Sequence, residues 1–444
     1  MVRKNIDHFY YFVVPFLIVG LSFGFTSFSL AIIIMMPLLL MTNRHTVGVF
    51  LLMYGGPFGG MVRAMYPFIP VYGLLLEFLG LFLLWDLVAE LFKKNLRVII
   101  LMVLTLLFFG LFYLLGPMDE FATKKYTNMC IHGILMTFGY MAFEKSPKIN
   151  SEKLTLLLVL ASICMFSYVI NTLSLYTGSL LDYNWFREQT TRYSLGAAID
   201  LVVVGYQHIG MLVLFAIAIF LSQVDFSKWK FVYYTVVCFE LSALSGCRQA
   251  LFGVVLIIVL RMFLFRKGNA TKGKSARQII GALLAVLVFY YLVSYIFVNV
   301  GSEVLERTIQ EGDSGREYLW MLAISLFGQN PIFGVGIGGF HAITGEVYPH
   351  NFIIELLCET GIVGLVFTVL VFIITLIKKG GGLLHVTESK QFYILIMMGI
   401  FVRVMVSSDM AESIELYSAL FVMAGANELK ENNKPQPYLY YKQS

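Results

Sequence analysis

The sequence predicts an all-α polytopic transmembrane helix bundle of about 14 spans (12–14), with one long extracytoplasmic loop containing short helices. Three observations carry this. Hydrophobic residues make up 59% of the 444 residues and charged residues only 13%. The mean hydropathy over the chain is +0.80. The apolar runs approach the ~20 residues that a bilayer requires. A soluble domain carries roughly 25% charged residues. The shortfall excludes a soluble globular enzyme, a disordered chain and a nucleic-acid-binding protein.

Apolar runs between charges and turn residues place candidate spans at 9–23, 26–42, 46–62, 68–92, 96–115, 126–143, 154–177, 197–222, 231–245, 249–265, 278–298, 351–377, 391–407 and 411–426. Together they form a single integral membrane domain over 1–444. The first run follows Arg3 and Lys4 and superficially resembles a signal peptide, with small residues at Ser27 and Ser29. Many equivalent runs follow, so an uncleaved first helix is expected. The stretch Gly55-Gly56-Pro57-Phe58-Gly59-Gly60 suggests a broken or re-entrant helix, which a membrane protein accommodates only away from lipid. Cys130, Cys164, Cys238, Cys247 and Cys358 are scattered and show no CxxC spacing, so neither a zinc site nor a disulfide framework is expected.

Orientation follows from the basic loops. The most basic runs from Arg266 to Arg277. Placing it in the cytoplasm brings the other lysine-rich loops and both termini to the same side. Nine of the 32 basic residues then fall outside, and seven of the nine are arginines: Arg63, Arg187, Arg192, Arg248, Arg307, Arg316 and Arg403. Lys124 and Lys125 are the exceptions. Arginine's planar fork binds phosphate and carboxylate bidentately and keeps its charge when partly desolvated. Pairing with local acids such as Glu188, Glu303, Glu306 and Glu311 accounts equally well for Arg187, Arg192 and Arg307. Arg248 and Arg403 sit at the ends of apolar runs, where an ionisable group is expensive and marks a functional candidate.

Residues 299–350 break the rhythm of short loops, and a connection of that length is usually functional or disordered. It contains Arg316-Glu317-Tyr318-Leu319-Trp320, then Asn330-Pro331-Ile332-Phe333-Gly334-Val335-Gly336-Ile337-Gly338-Gly339, and closes on Pro349-His350-Asn351. The glycines at 334, 336 and 339 have the GxGxxG spacing, but no strand precedes them and no Gly-Lys-Ser/Thr follows, so a nucleotide loop is not expected. A tight turn with close backbone approach is the expectation. His350 suits proton abstraction from a hydroxyl at neutral pH, with His341 as its competitor; a capping or interfacial role is the alternative. Tyr318 and Trp320 either stack on sugar rings or pack the loop helix.

Arg316, Trp320, Asn330-Pro331-Ile332-Phe333-Gly334-Val335-Gly336, His350-Asn351, Glu355 and Glu359-x-Gly361-Ile362-Val363-Gly364 together resemble the conserved segment of the O-antigen ligase and O-antigen polymerase superfamily. Upstream, Leu244-Ser245-Gly246-Cys247-Arg248 resembles that family's Ser-Arg motif, with Cys247 in place of the usual serine. The best match spans 241–365. The resemblance implies a GT-C-like membrane glycosyltransferase in the bacterial cytoplasmic membrane, with its active site on the outer face. It implies an undecaprenyl-diphosphate-linked glycan donor, a glycan or lipid-linked acceptor, no cofactor and no metal. A flippase and a chain-length regulator are candidate partners. The family's essential arginines fall on Arg248 and Arg316, and its essential histidine on His350. Negative charge grows on the departing diphosphate, where the arginines could neutralise it, while His350 takes the acceptor's proton. Arg63, Arg403 and Arg192 are further phosphate-binding candidates, with Asp409 able to orient one of them; Tyr318, Trp320 and Asn351 are candidates for contact with the sugar.

Three functions compete. A repeat-unit polymerase is preferred. A ligase moving the glycan to a lipid A core or another acceptor shares the chemistry. A flippase or other transporter would need charges near mid-bilayer and often internal repeats. Glu77, Asp86 and Glu240 are the main intramembrane acids, and no repeat is visible.

Overall fold

The computed structural model describes residues 42–65, 73–145, 149–177, 206–223, 227–244, 247–264, 316–377, 388–406 and 409–426. The expected spans at 9–23 and 278–298, and all but the last residue of 26–42, lie outside them. Among the described residues every regular element is an α-helix, and there are fourteen. In order they are α1 (Arg44–Met65), α2 (Gly73–Leu83), α3 (Trp85–Lys94), α4 (Leu96–Leu115), α5 (Glu120–Lys145), α6 (Ser151–Thr177), α7 (Tyr206–Ser222), α8 (Lys228–Leu244), α9 (Arg248–Leu264), α10 (Arg316–Gln329), α11 (Gly339–Thr344), α12 (Phe352–Ile377), α13 (Glu388–Val406) and α14 (Ile414–Ala426). The chain divides into two compact units, Met1–Phe82 with Ser151–Ser314 and Leu83–Asn150 with Gly315–Ser444.

In the first unit α7 packs against α6, α8 and α9. Its side chains from Ile209 to Leu221 are buried on every face except at Gly210, which has none to bury. A helix apolar all round belongs inside a bundle. Gly210 lets the chain before α9 approach: a Cβ there would stand 2.4 Å from Cys247 Sγ. The glycine-rich stretch 55–60 forms part of an unbroken α1, not the broken segment that its composition suggests. Its glycines admit a neighbouring helix instead. A Cβ on Gly55 would stand 3.0 Å from the Glu77 nitrogen of α2, and one on Gly56 would stand 2.8 Å from Glu77 Oε1. Close approach over small residues is a normal way for membrane helices to pack.

In the second unit α4 and α5 form a hairpin, and α14 packs on both. Val98, Met102, Thr105, Leu106, Phe109 and Phe112 form the buried stripe of α4. Its other face exposes Leu104, Leu107, Leu111 and Leu114. Leucines on the outer face of a helix already apolar on its inner face suit lipid. Among the described residues, Leu96–Leu115 and Phe352–Ile373 are long and apolar enough to cross a membrane, and five shorter apolar helices accompany them. The run expected as one span over 68–92 is two helices, α2 and α3, interrupted at Leu84.

Candidate active site

The site grows from a break in α12. Gly361 has φ 65 and ψ −163, so the helical hydrogen-bond ladder cannot pass through it. A break inside an apolar helix strands carbonyls before it and N–H groups after it, and each must find a partner. The segment after α10 supplies them. Val335 N–H donates to the Cys358 carbonyl at 2.9 Å and Gly336 N–H to that of Glu359 at 3.0 Å. On the far side Ile362 N–H donates to Pro331 O at 2.9 Å and Val363 N–H to Ile332 O at 3.2 Å. Ile337 N–H meets the Phe112 carbonyl near the end of α4 at 3.0 Å.

This stitching requires glycine. Gly334, Gly336, Gly338 and Gly361 all have positive φ. A Cβ on Gly334 would stand 2.5 Å from Cys358 O, one on Gly336 2.3 Å from Gly116 Cα, and one on Gly361 2.2 Å from Ile332 O. The expectation of a tight turn with close backbone approach is met. Under the loop lies a small apolar core of Ala323, Leu326, Phe340 and Cys358.

Beside the break lies a buried charged cluster. Glu355 and Glu359, four residues apart on one face of α12, both reach Lys125 of α5. The Lys125 ammonium donates to Glu355 Oε1 at 2.5 Å and to the two Glu359 oxygens at 2.9 and 2.8 Å. All three side chains are at least 95% buried. Glu359 Oε1 also accepts the Gly338 N–H at 3.1 Å, so the cluster holds the glycine loop directly. Removing one partner of such a buried pair costs about 3–5 kcal/mol. Half-buried Asp409 stands in the connection between α13 and α14. Desolvation, helped by the Glu412 and Glu355 carboxylates and opposed by Lys125, pushes its carboxyl up to about 7.

His350 stands two residues before the start of α12, in the left-handed region at φ 56. Such a backbone is uncommon outside glycine, although histidine adopts it more often than most side chains do, as asparagine and aspartate do, and it costs about 1–2 kcal/mol. Both flanking residues are pinned. The Trp320 indole N–H of α10 donates to the Pro349 carbonyl at 2.9 Å. Asn351 caps α12, its Oδ1 accepting from Ile353 N–H at 3.0 Å and Ile354 N–H at 3.1 Å, while its amide donates to Met405 O of α13 at 3.2 Å. The Tyr348 ring meets the imidazole edge-on at 4.4 Å. Strain of this kind persists where surrounding structure over-determines it, and it clusters at functional sites.

Of the residues singled out by sequence, Trp320, His350 and Asn351 therefore meet in one turn. Arg316 begins α10 and is half-buried, one turn before Trp320; Tyr318 on the same helix is 56% exposed. Arg403 in α13 is buried, bonded to Glu415 at 3.2 Å with Glu412 at 3.8 Å, so its charge has local acidic partners. Asn351 likewise spends its side chain on the cap and on α13. His341 stacks on Phe121 at 4.0 Å, and its Nδ1 lies 3.2 Å from Glu346 O. Arg248 is the first residue of α9 and Arg63 lies in α1, both in the first unit; Arg316 and His350 are in the second. Arg192 and Arg307 lie outside the described residues. Sequence reading missed Lys125, which appeared only as an exception among the outer arginines. The i, i+4 spacing of Glu355 and Glu359 was the available signal.

A helical membrane protein with a loop-stitched broken helix, a buried charge cluster and a strained histidine is the class that fold and site define. Residues 233–369 match the family model described as O-antigen ligase. No curated protein matches the chain. Over that segment, less than half of its length, the chain is similar to the O-antigen ligase family.

Proposed function

We propose that this enzyme polymerises undecaprenyl-diphosphate-linked oligosaccharide repeat units of an O-antigen or capsule at the outer face of the cytoplasmic membrane. The observation that carries the reading is the His350 turn, held in a left-handed conformation by Trp320 on one side and Asn351 on the other. His350 removes the proton of an acceptor hydroxyl. The freed oxygen attacks the anomeric carbon, the bond to the lipid diphosphate breaks, and the configuration inverts. Arg316 and Arg248 neutralise the leaving diphosphate, with Arg248 assigned through the resemblance of its motif. General-base help is worth ~10²–10⁴-fold, and each charge-stabilising donor ~10²–10³-fold.

The ligase reading shares this chemistry and is favoured by the description of the matching family model. Reconstitution in liposomes with an undecaprenyl-diphosphate repeat unit separates the two. A ladder of lengthened glycans is the expected result; transfer only onto an added core acceptor identifies a ligase. Lipid crossing the bilayer with no transfer under either condition ends the enzyme mechanism. His350→Ala and Arg316→Ala are expected to lower transfer at least 100-fold with normal membrane insertion, and wild-type activity in either removes that residue from the reaction.

A further inference from the structure

Lys125 belongs to neither the arginine set nor the histidine turn, yet it joins three parts of the second unit. Its ammonium ties α5 to Glu355 and Glu359 on the short N-terminal segment of α12. That segment begins one residue after Asn351 and ends at the Gly361 break. His350 therefore hangs from one end of it and the glycine loop from the other. Glu359 links the two by position: its side chain accepts from Gly338 and its carbonyl from Gly336. A rigid piece of about two and a half turns, clamped on one face, transmits a displacement from either end to the other. Two carboxylates stacked on one helix face and buried beside each other repel without a cation between them.

We infer that Lys125, clamped between Glu355 and Glu359, is a positioning residue for glycosyl transfer: it sets the N-terminal segment of α12 and thereby fixes the His350 turn and the glycine loop relative to each other. The inference rests on the proposed role of His350 as base. A rival role, simple neutralisation of buried charge, predicts that any variant restoring charge balance restores the rate.

The test uses the full-length protein in nanodiscs, with transfer from an undecaprenyl-diphosphate repeat unit and amide hydrogen exchange as separate readouts. Lys125→Met alone leaves two carboxylates unpaired and is prone to misfolding. The informative variants are the charge-balanced Lys125→Met/Glu355→Gln/Glu359→Gln and the charge-retaining Lys125→Arg, whose longer, planar head displaces the carboxylates. Both are expected to insert normally. The triple variant should lose at least tenfold in kcat with KM within twofold, and its segment 335–338 should exchange faster than in the wild type. Lys125→Arg should lose at least threefold in kcat. Wild-type kcat in either folded variant overturns the inference, as does a lost rate with unchanged exchange of 335–338. His350→Ala serves as the control, inactive with full loop protection. Activity in that control defeats the base assignment alone, while exchange in the triple variant still decides whether Lys125 sets the loop.

Discussion

At the scale of single residues, the site depends on a few side chains that hold others. Trp320 combines a packed indole with one directed hydrogen bond to Pro349 O. Phe at 320 keeps most of the packing and loses the bond, which contributes ~0.5–1.5 kcal/mol. Trp320→Phe should therefore shift thermal stability only slightly while reducing kcat several-fold, because the turn carrying His350 loosens. Tyr318→Phe, at an exposed position, should leave thermal stability unchanged. His350→Gly offers a complementary test. Glycine adopts positive φ without strain. That variant should keep or gain thermal stability while transfer is lost, separating the chemical role of the imidazole from any role in folding. A loss of stability in His350→Gly would point instead to the capping role that the sequence left open.

At the scale of elements, the glycines near the break differ in what they resist, and their alanine variants should rank accordingly. Gly361→Ala and Gly334→Ala combine positive φ with a Cβ inside main-chain contact distance. They should be the most damaging, at ~3 kcal/mol or more, since neither strain nor overlap can relax without unstitching the loop. Gly345 also has positive φ, but nothing lies within 4 Å of a Cβ there. Its alanine variant should cost only the ~1–2 kcal/mol of left-handed strain. Gly328 lies near the end of α10 with open space and no positive φ, so alanine should be neutral or gain up to ~1 kcal/mol. Thermal unfolding monitored in one detergent orders the set. An equal loss at Gly345 and Gly361 would show that overlap is unimportant.

The same elements show what sequence can and cannot reveal. The span read as 96–115 is α4 to the residue, because Lys93, Lys94 and Arg97 at one end and Gly116-Pro117 at the other bound the apolar run. Pro331 and the closely spaced glycines announced a tight turn. They did not announce its partner, since backbone hydrogen bonds to Cys358 and Glu359 leave no trace in side-chain pattern. The stretch 55–60 reads as a break because proline and glycine break helices in water; packed against α2, the glycines serve contact instead. Lys125 resembled an orientation determinant, because a lysine's charge is visible in sequence and its partner is not.

At the scale of the whole molecule, the family-matching segment contributes to both compact units, with Arg248 in one and His350 and Arg316 in the other. The proposed chemistry assigns the charge-neutralising task to arginine. Transfer should accordingly persist in EDTA, and a strict divalent-cation requirement in the reconstituted ladder assay would overturn that assignment. The second unit is also discontinuous in sequence, which gives the Lys125 clamp a consequence in time. Lys125 precedes Glu355 by 230 residues along the chain. At translation rates of about 5–20 residues per second, the ribosome needs roughly 10–50 s to deliver the carboxylates after the lysine has emerged. During biogenesis the newly inserted α4–α5 hairpin must carry an unmatched ammonium, near the start of α5 where a long side chain can reach the headgroups. The arrival of α12 ends that wait, so assembly of the site is gated by the late synthesis of its acids.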